Sequence, residues 1–259
     1  MRFKLFVLCA ALALTQAAAA TDRVFNGYAR HLDTGALLYV ESHAVRGYGT
    51  QDEQRVVRYQ CAAGQATFAR KQLDYAGNRT EPLFELKDAR TGYLEGLRRT
   101  QAGLEVFQRN GKDAALKRRA VPRSAAIVSD AGFDEFVRLH WNDLEANRTV
   151  KFRFLVPSRL DSMSFKVHKH GEAEIEGAAV SVIRLNLSGF LGWFLPYIEV
   201  SYRKSDRVLM RYKGVTNIRD VSGRNMTVQI DFPSRERVTR TVDLTALSAG
   251  SLVATCPAG

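Results

Sequence analysis

The sequence predicts a mainly β protein: a curved antiparallel sheet or half-barrel packed on one amphipathic α-helix, after a cleaved signal peptide. Three observations predict it. Apolar residues recur at every second position through many short segments. One segment alone repeats them at helical spacing. The first twenty residues have the three-part pattern of an export signal.

The signal is read first. Arg2 and Lys4 form a charged start, Leu5 to Leu14 is an apolar run, and Ala17 to Ala20 offers small residues to a peptidase. That order matches a secretory signal, and the run is short for a bilayer span of about 20 residues. Residues 1–20 are expected to leave and residues 21–259 to form a single β-rich domain. No Cys follows the cleavage site, so no lipid anchor is expected. No later segment is apolar enough for a transmembrane helix. The expected compartment is the periplasm.

Strands follow. In 150–156, Val150, Phe152, Phe154 and Val156 share a face against Lys151 and Arg153. Segments 163–170, 198–203, 208–213 and 226–232 alternate in the same way, the mark of antiparallel sheets with one wet face. The first half offers less regular candidates at 24–31, 37–46, 54–61, 66–75, 82–88, 93–99 and 103–109. Lys112 to Ser124, with Lys117-Arg118-Arg119, reads as a basic connection within the domain.

The helix is expected over 130–146. Phe133, Phe136, Val137, His140, Trp141 and Leu144 make one stripe, which must bury itself against the sheet. Ser129 or Asp130 is expected to cap it.

Net charge is +11, and loss of Arg2 and Lys4 with the signal removes two of those charges. Export argues against nucleic acid as the partner. The anions outside the cytoplasm are lipid head groups and acidic polymers. Cys9 leaves with the signal. Cys61 and Cys256 remain, either as one disulfide or as two separate thiols.

No catalytic signature is present: no P-loop, G-x-S-x-G, H-E-x-x-H or C-x-x-C. No catalytic residue, metal site or cofactor is assigned. His168 and His170 share a strand face, but Lys166 and Lys169 beside them oppose a cation, so they read as a wet polar face. His140 lies on the helix stripe and reads as a core or cleft histidine. The segment Ser188 to Ile198 packs Phe190, Leu191, Trp193, Phe194, Leu195 and Tyr197 between Gly189, Gly192 and Pro196. Such a loop either fills the core or lines an apolar pocket.

Several phrases carry a resemblance. They are Phe68-Ala69-Arg70-Lys71, the helix Gly132 to Arg138, Phe154 to Arg159, Tyr212 to Asp220, and Gly223-Arg224-Asn225. Together they resemble exported proteins of the Gram-negative periplasm. The second half is similar to β half-barrels of the domain-of-unknown-function kind and, more loosely, to LolA/LolB lipoprotein carriers. That resemblance implies a sheet wrapped around a helix, with a hollow for acyl chains and no catalytic motif.

The function expected is therefore non-enzymatic: binding or carrying an apolar, acyl-bearing anionic ligand, a lipid or other amphiphile. Trp193, Phe194, Tyr197, Phe133 and Trp141 are expected to line the hollow. The alternative is an envelope scaffold that engages another protein and has a filled core. A hydrolase assembled from distant residues is the third reading.

Overall fold

The computed structural model describes residues 21–62, 66–122, 126–188 and 198–257. Among them sixteen strands form one open sheet. The N-terminal wing is a meander of β1 (Arg23–His31), β2 (Leu37–Arg46), β3 (Gln54–Cys61), β4 (Thr67–Asp74), β5 (Leu83–Asp88), β6 (Tyr93–Thr100), β7 (Gly103–Asn110) and β8 (Lys117–Val121). The C-terminal wing holds β9 (Ile127–Val128), β10 (Val150–Val156), β11 (Asp161–Ile175), β12 (Ala178–Leu187), β13 (Ile198–Arg203), β14 (Leu209–Arg219) and β15 (Asn225–Asp231). Pairing is antiparallel except between β9 and β10. β1 pairs with β15 and joins the wings, and β16 (Val238–Thr239) also pairs with β1. β8 and β9 are the outer edges and do not pair with each other, so the curved sheet stays open.

Most expected strands stand at nearly their predicted bounds, but β11 and β14 run on past 170 and 213 to Ile175 and Arg219, and β9, β12 and β16 were not expected. Lys117–Val121 is an edge strand on β7 rather than a connection. Its Lys and Arg side chains are exposed, and charge on a free edge discourages pairing with another chain. β12 carries no clean alternation. Its apolar positions change phase between Val182 and Ile183, opposite a bulge at Lys169–Gly171 on β11. The bulge adds its residue to β11 and changes the phase of that strand alone. On β12 Ser181, Ile183 and Leu185 keep one inward face, Ser181 Oγ donating to Glu145 of α2, while Val180 is buried on the other face.

Between β9 and β10 the helical stripe is divided into α1 (Gly132–Leu139) and α2 (Trp141–Glu145). His140, at φ −97° and ψ 16°, breaks it. Phe133, Phe136, Val137, Trp141 and Leu144 pack on Val167, Ile183, Leu185, Val200 and Tyr202 of the C-terminal wing. Neither Ser129 nor Asp130 caps α1; Ala131 holds that position without a side-chain hydrogen bond. Ser129 Oγ instead donates to Pro82 O. Asp130 adopts φ +42°, and its carboxylate accepts from Lys71. Gly132 is required here, because a Cβ would lie 2.2 Å from Thr80 O.

A second core spans the N-terminal wing, β14 and β15, and includes Tyr39, Phe68, Phe84, Leu97 and Ile230. Outside it, α3 (Leu244–Ala249) sets Leu244 and Leu247 against Ala44 and Val56. Cys61 and Cys256 form a disulfide across 195 positions of sequence. The adjoining tail is held by Val253 N–H donating to Thr67 O. No helix among the described residues is long and apolar enough to cross a membrane.

Candidate functional site: an amphipathic hollow

The two wings and α1 enclose a hollow of about 590 Å³, within the size range of small-molecule pockets. One wall is apolar. The C-terminal wing supplies Phe154, Met163, Phe165, Leu187, Ile198 and Val200 to it. The other wall is polar. Directly opposed residues of an antiparallel sheet share a face, and the register sets His43, Val57, Lys71, Leu86 and Glu95 in one rung across β2 to β6. Glu41 and Tyr59 oppose each other on a neighbouring rung. This inner face therefore carries ionisable residues where a β core ordinarily carries aliphatic ones.

These groups are tied together. Lys71 Nζ donates to Asp130 Oδ2 at 2.7 Å. Asn217 Nδ2 donates to Glu95 Oε1 at 2.9 Å and to Asp130 Oδ2 at 3.3 Å. Tyr93 hydroxyl donates to Glu95 Oε2 at 2.5 Å. His43 Nε2 lies 3.0 Å from Glu41 Oε2, and its ring stacks on Phe25 at 4.4 Å between centroids. Glu41, Lys71 and Glu95 are all buried. Burial pushes the Glu95 carboxyl up, against the hydrogen bond from Tyr93 and the charge of Lys71. Burial pushes the His43 imidazole down, although Glu41 beside it works the other way. Burial alone would pull the Lys71 ammonium down, but the Asp130 carboxylate overrides it and holds it up.

A second ion network fixes the helix to the N-terminal wing. Arg79 bridges Glu53 at 3.0 Å and Glu135 at 2.9 Å. Arg55 pairs with Glu53 and Arg138 with Glu135. Tyr202 hydroxyl donates to Asp134 Oδ1 at 2.7 Å. The helix is thus an apolar plug for one wing and an ionic strut to the other.

The residues expected to line the hollow are distributed as follows. Phe133 lines it. Trp141 is buried edge-on to Tyr202 and is not part of the lining. Trp193, Phe194 and Tyr197 lie outside the described residues, whereas Leu187 and Ile198 on either side line the hollow. His168 and His170 are 6.5 Å apart between ring centroids, and His170 Nε2 meets Arg184. Among the described residues no three His, Cys, Asp or Glu side chains group as metal ligands. His43 bonds Glu41, and its Nδ1 has no partner among the described residues.

Sequence reasoning missed Glu41, His43, Tyr59, Lys71, Glu95 and Asp130. Their signal was the irregular alternation of the first half. The charged residues there occupy inward positions, which hides the period-two pattern.

The chain is similar to two solved structures. One is a beta-barrel-like protein of domain of unknown function DUF1849 from Brucella abortus, 5% identical, with a TM-score of 0.47 over 86% of this chain and 98% of that chain. The other is a DUF1329 family protein from Desulfovibrio piger ATCC 29098, 9% identical, with a TM-score of 0.29 over 83% of this chain and 84% of that chain. No family model and no curated protein matches the chain.

Proposed function

We propose that the protein binds or carries an apolar, acyl-bearing amphiphile in the hollow of its sheet. The observation that carries this reading is the hollow's division into an apolar and a polar wall. A chain laid on Phe154, Phe165, Leu187 and Ile198 removes apolar surface from water, at about 25 cal/mol per Å². An anionic group on that ligand belongs at the rim, where Arg159 is exposed, because buried carboxyls crowd the inner end. A scaffold protein has no need of an unfilled interior, so the hollow supports the carrier reading over the envelope-scaffold one. We infer also that the protein acts in the periplasm after export by residues 1–20. The Cys61–Cys256 bridge supports this, since disulfides persist in oxidising compartments.

The test is solvent extraction of protein purified without detergent, followed by mass spectrometry against an unrelated periplasmic protein. A stoichiometric amphiphile is expected. An empty protein that also fails to take up a neutral apolar fluorophore overturns the reading.

A further inference from the structure

The polar wall is costly to the fold. Burying ion pairs rarely stabilises a protein relative to apolar residues of the same size. Tyr59 shows what this arrangement offers. Its ring is 3% exposed and packs against Tyr39 and Phe68. Its hydroxyl has no hydrogen-bond partner among the described residues. Unlike the hydroxyls of Tyr39 and Tyr75, which protein atoms enclose, it opens on the hollow that Tyr59 lines. Glu41 stands opposite Tyr59 on the neighbouring strand, and Asp130 and Glu95 line the same hollow.

The charges of the lining are mixed. Glu41, Glu95, Asp130 and Asp134 stand against Arg55, Lys71 and Arg159, with His43 among them. Lys71 has three donor positions and uses one on Asp130. Of about four acceptor sites on each carboxyl group, Glu95 uses two, Asp130 three, and Glu41 and Asp134 one each. Unused donors and acceptors therefore line the same hollow as the Tyr59 hydroxyl. A full anion placed there meets three carboxyls. A quaternary ammonium has no hydrogen to give them. A hydroxyl both donates and accepts, so adjacent hydroxyls match the pattern.

We propose that this polar wall receives a neutral, multiply hydroxylated group of the amphiphile, such as a glycosyl or glycerol unit, with Tyr59 at the centre of the contact. The inference rests on the carrier reading above and adds the chemistry of the inner end.

Displacement of bound N-phenyl-1-naphthylamine, a neutral apolar fluorophore, tests it. Dodecyl glucoside, dodecanoate and dodecyltrimethylammonium share one chain and differ in head group. Wild type is expected to prefer the glucoside by about tenfold, the size of one hydrogen bond beside charged partners. Tyr59→Phe should remove most of that preference and leave dodecanoate binding unchanged. This substitution keeps the ring, so an unaltered melting temperature is expected as its control. Failure of the fluorophore to bind sinks the carrier reading itself. Binding of the fluorophore with no glucoside preference, or an equal loss for all three ligands in Tyr59→Phe, overturns the hydroxylated-group proposal alone. Equal loss of the glucoside preference with glycerol monododecanoate in place of the glucoside identifies the two hydroxyl sources as interchangeable and supports it.

Discussion

Lys71 on β4 and Asp130 before α1 form a buried ion pair at 2.7 Å, with side chains 10% and 8% exposed. The pair joins the N-terminal wing to the start of the helix. Asp130 Oδ2 is thereby turned to the hollow, while its Oδ1 accepts from the Ala131 backbone N–H.

Removing one partner leaves the other charge buried. Lys71→Met should therefore cost about 3–5 kcal/mol of stability, read as the shift in a urea unfolding curve. The double variant Lys71→Met with Asp130→Leu should regain a large part of that loss, because no uncompensated charge remains. Equal stability of the single variant and wild type would show that water screens the pair.

The disulfide should be the largest single contribution to stability. Closing a loop across 195 positions restricts the unfolded chain by about 5 kcal/mol in the chain-entropy description. Cys256→Ser should lower the melting temperature and loosen the C-terminal tail first. That tail and α3 also depend on Arg70, which donates to Gly250 O at 2.7 Å. Proteolysis should cut near residue 250 in the variant and not in the oxidised protein. Identical melting of oxidised and reduced protein would contradict this.

Two buried groups give stability opposite slopes with pH. Glu95 titrates above its ordinary 4.5 in the folded chain, so the fold holds that proton more tightly than the unfolded chain does. Its contribution is full below about 4.5 and declines as pH rises through the raised value. His43 titrates below its ordinary 6.5. Its contribution is full above about 6.5 and is lost as pH falls through the lowered value. Glu95→Gln should therefore gain on wild type as pH rises, and His43→Phe should gain as pH falls. Melting curves that stay parallel from pH about 4 to about 8 would refute both assignments.

Strand positions were legible in the sequence because alternation needs only local information. Val150, Phe152 and Phe154 announce β10, and β13 to β15 follow the same rule. The helix stripe was equally visible, although not its break at His140. The polar wall was not legible. Lys71 and Glu95 look like surface residues until the register aligns them with His43 across five strands. β12 was hidden for a different reason. Ser181 takes an inward position beside Ile183 and Leu185, and Val180 is buried on the other face, so no period of two shows. The pairing of Cys61 with Cys256 depends on the return of the tail past β4, which no local pattern encodes.

Nearly every ladder in the sheet joins neighbours in sequence; the exceptions are the two on β1, with β15 and β16. Local hairpins close quickly, whereas a pairing between distant segments must first bear the entropy of a long loop. Each wing can thus zip up by itself, strand after strand. The first strand of the chain then keeps one edge unpaired until nearly the last residues have been made. During that interval β1 is the site most open to mispairing, and the newly made protein is safest where its N-terminal edge is shielded until β15 arrives.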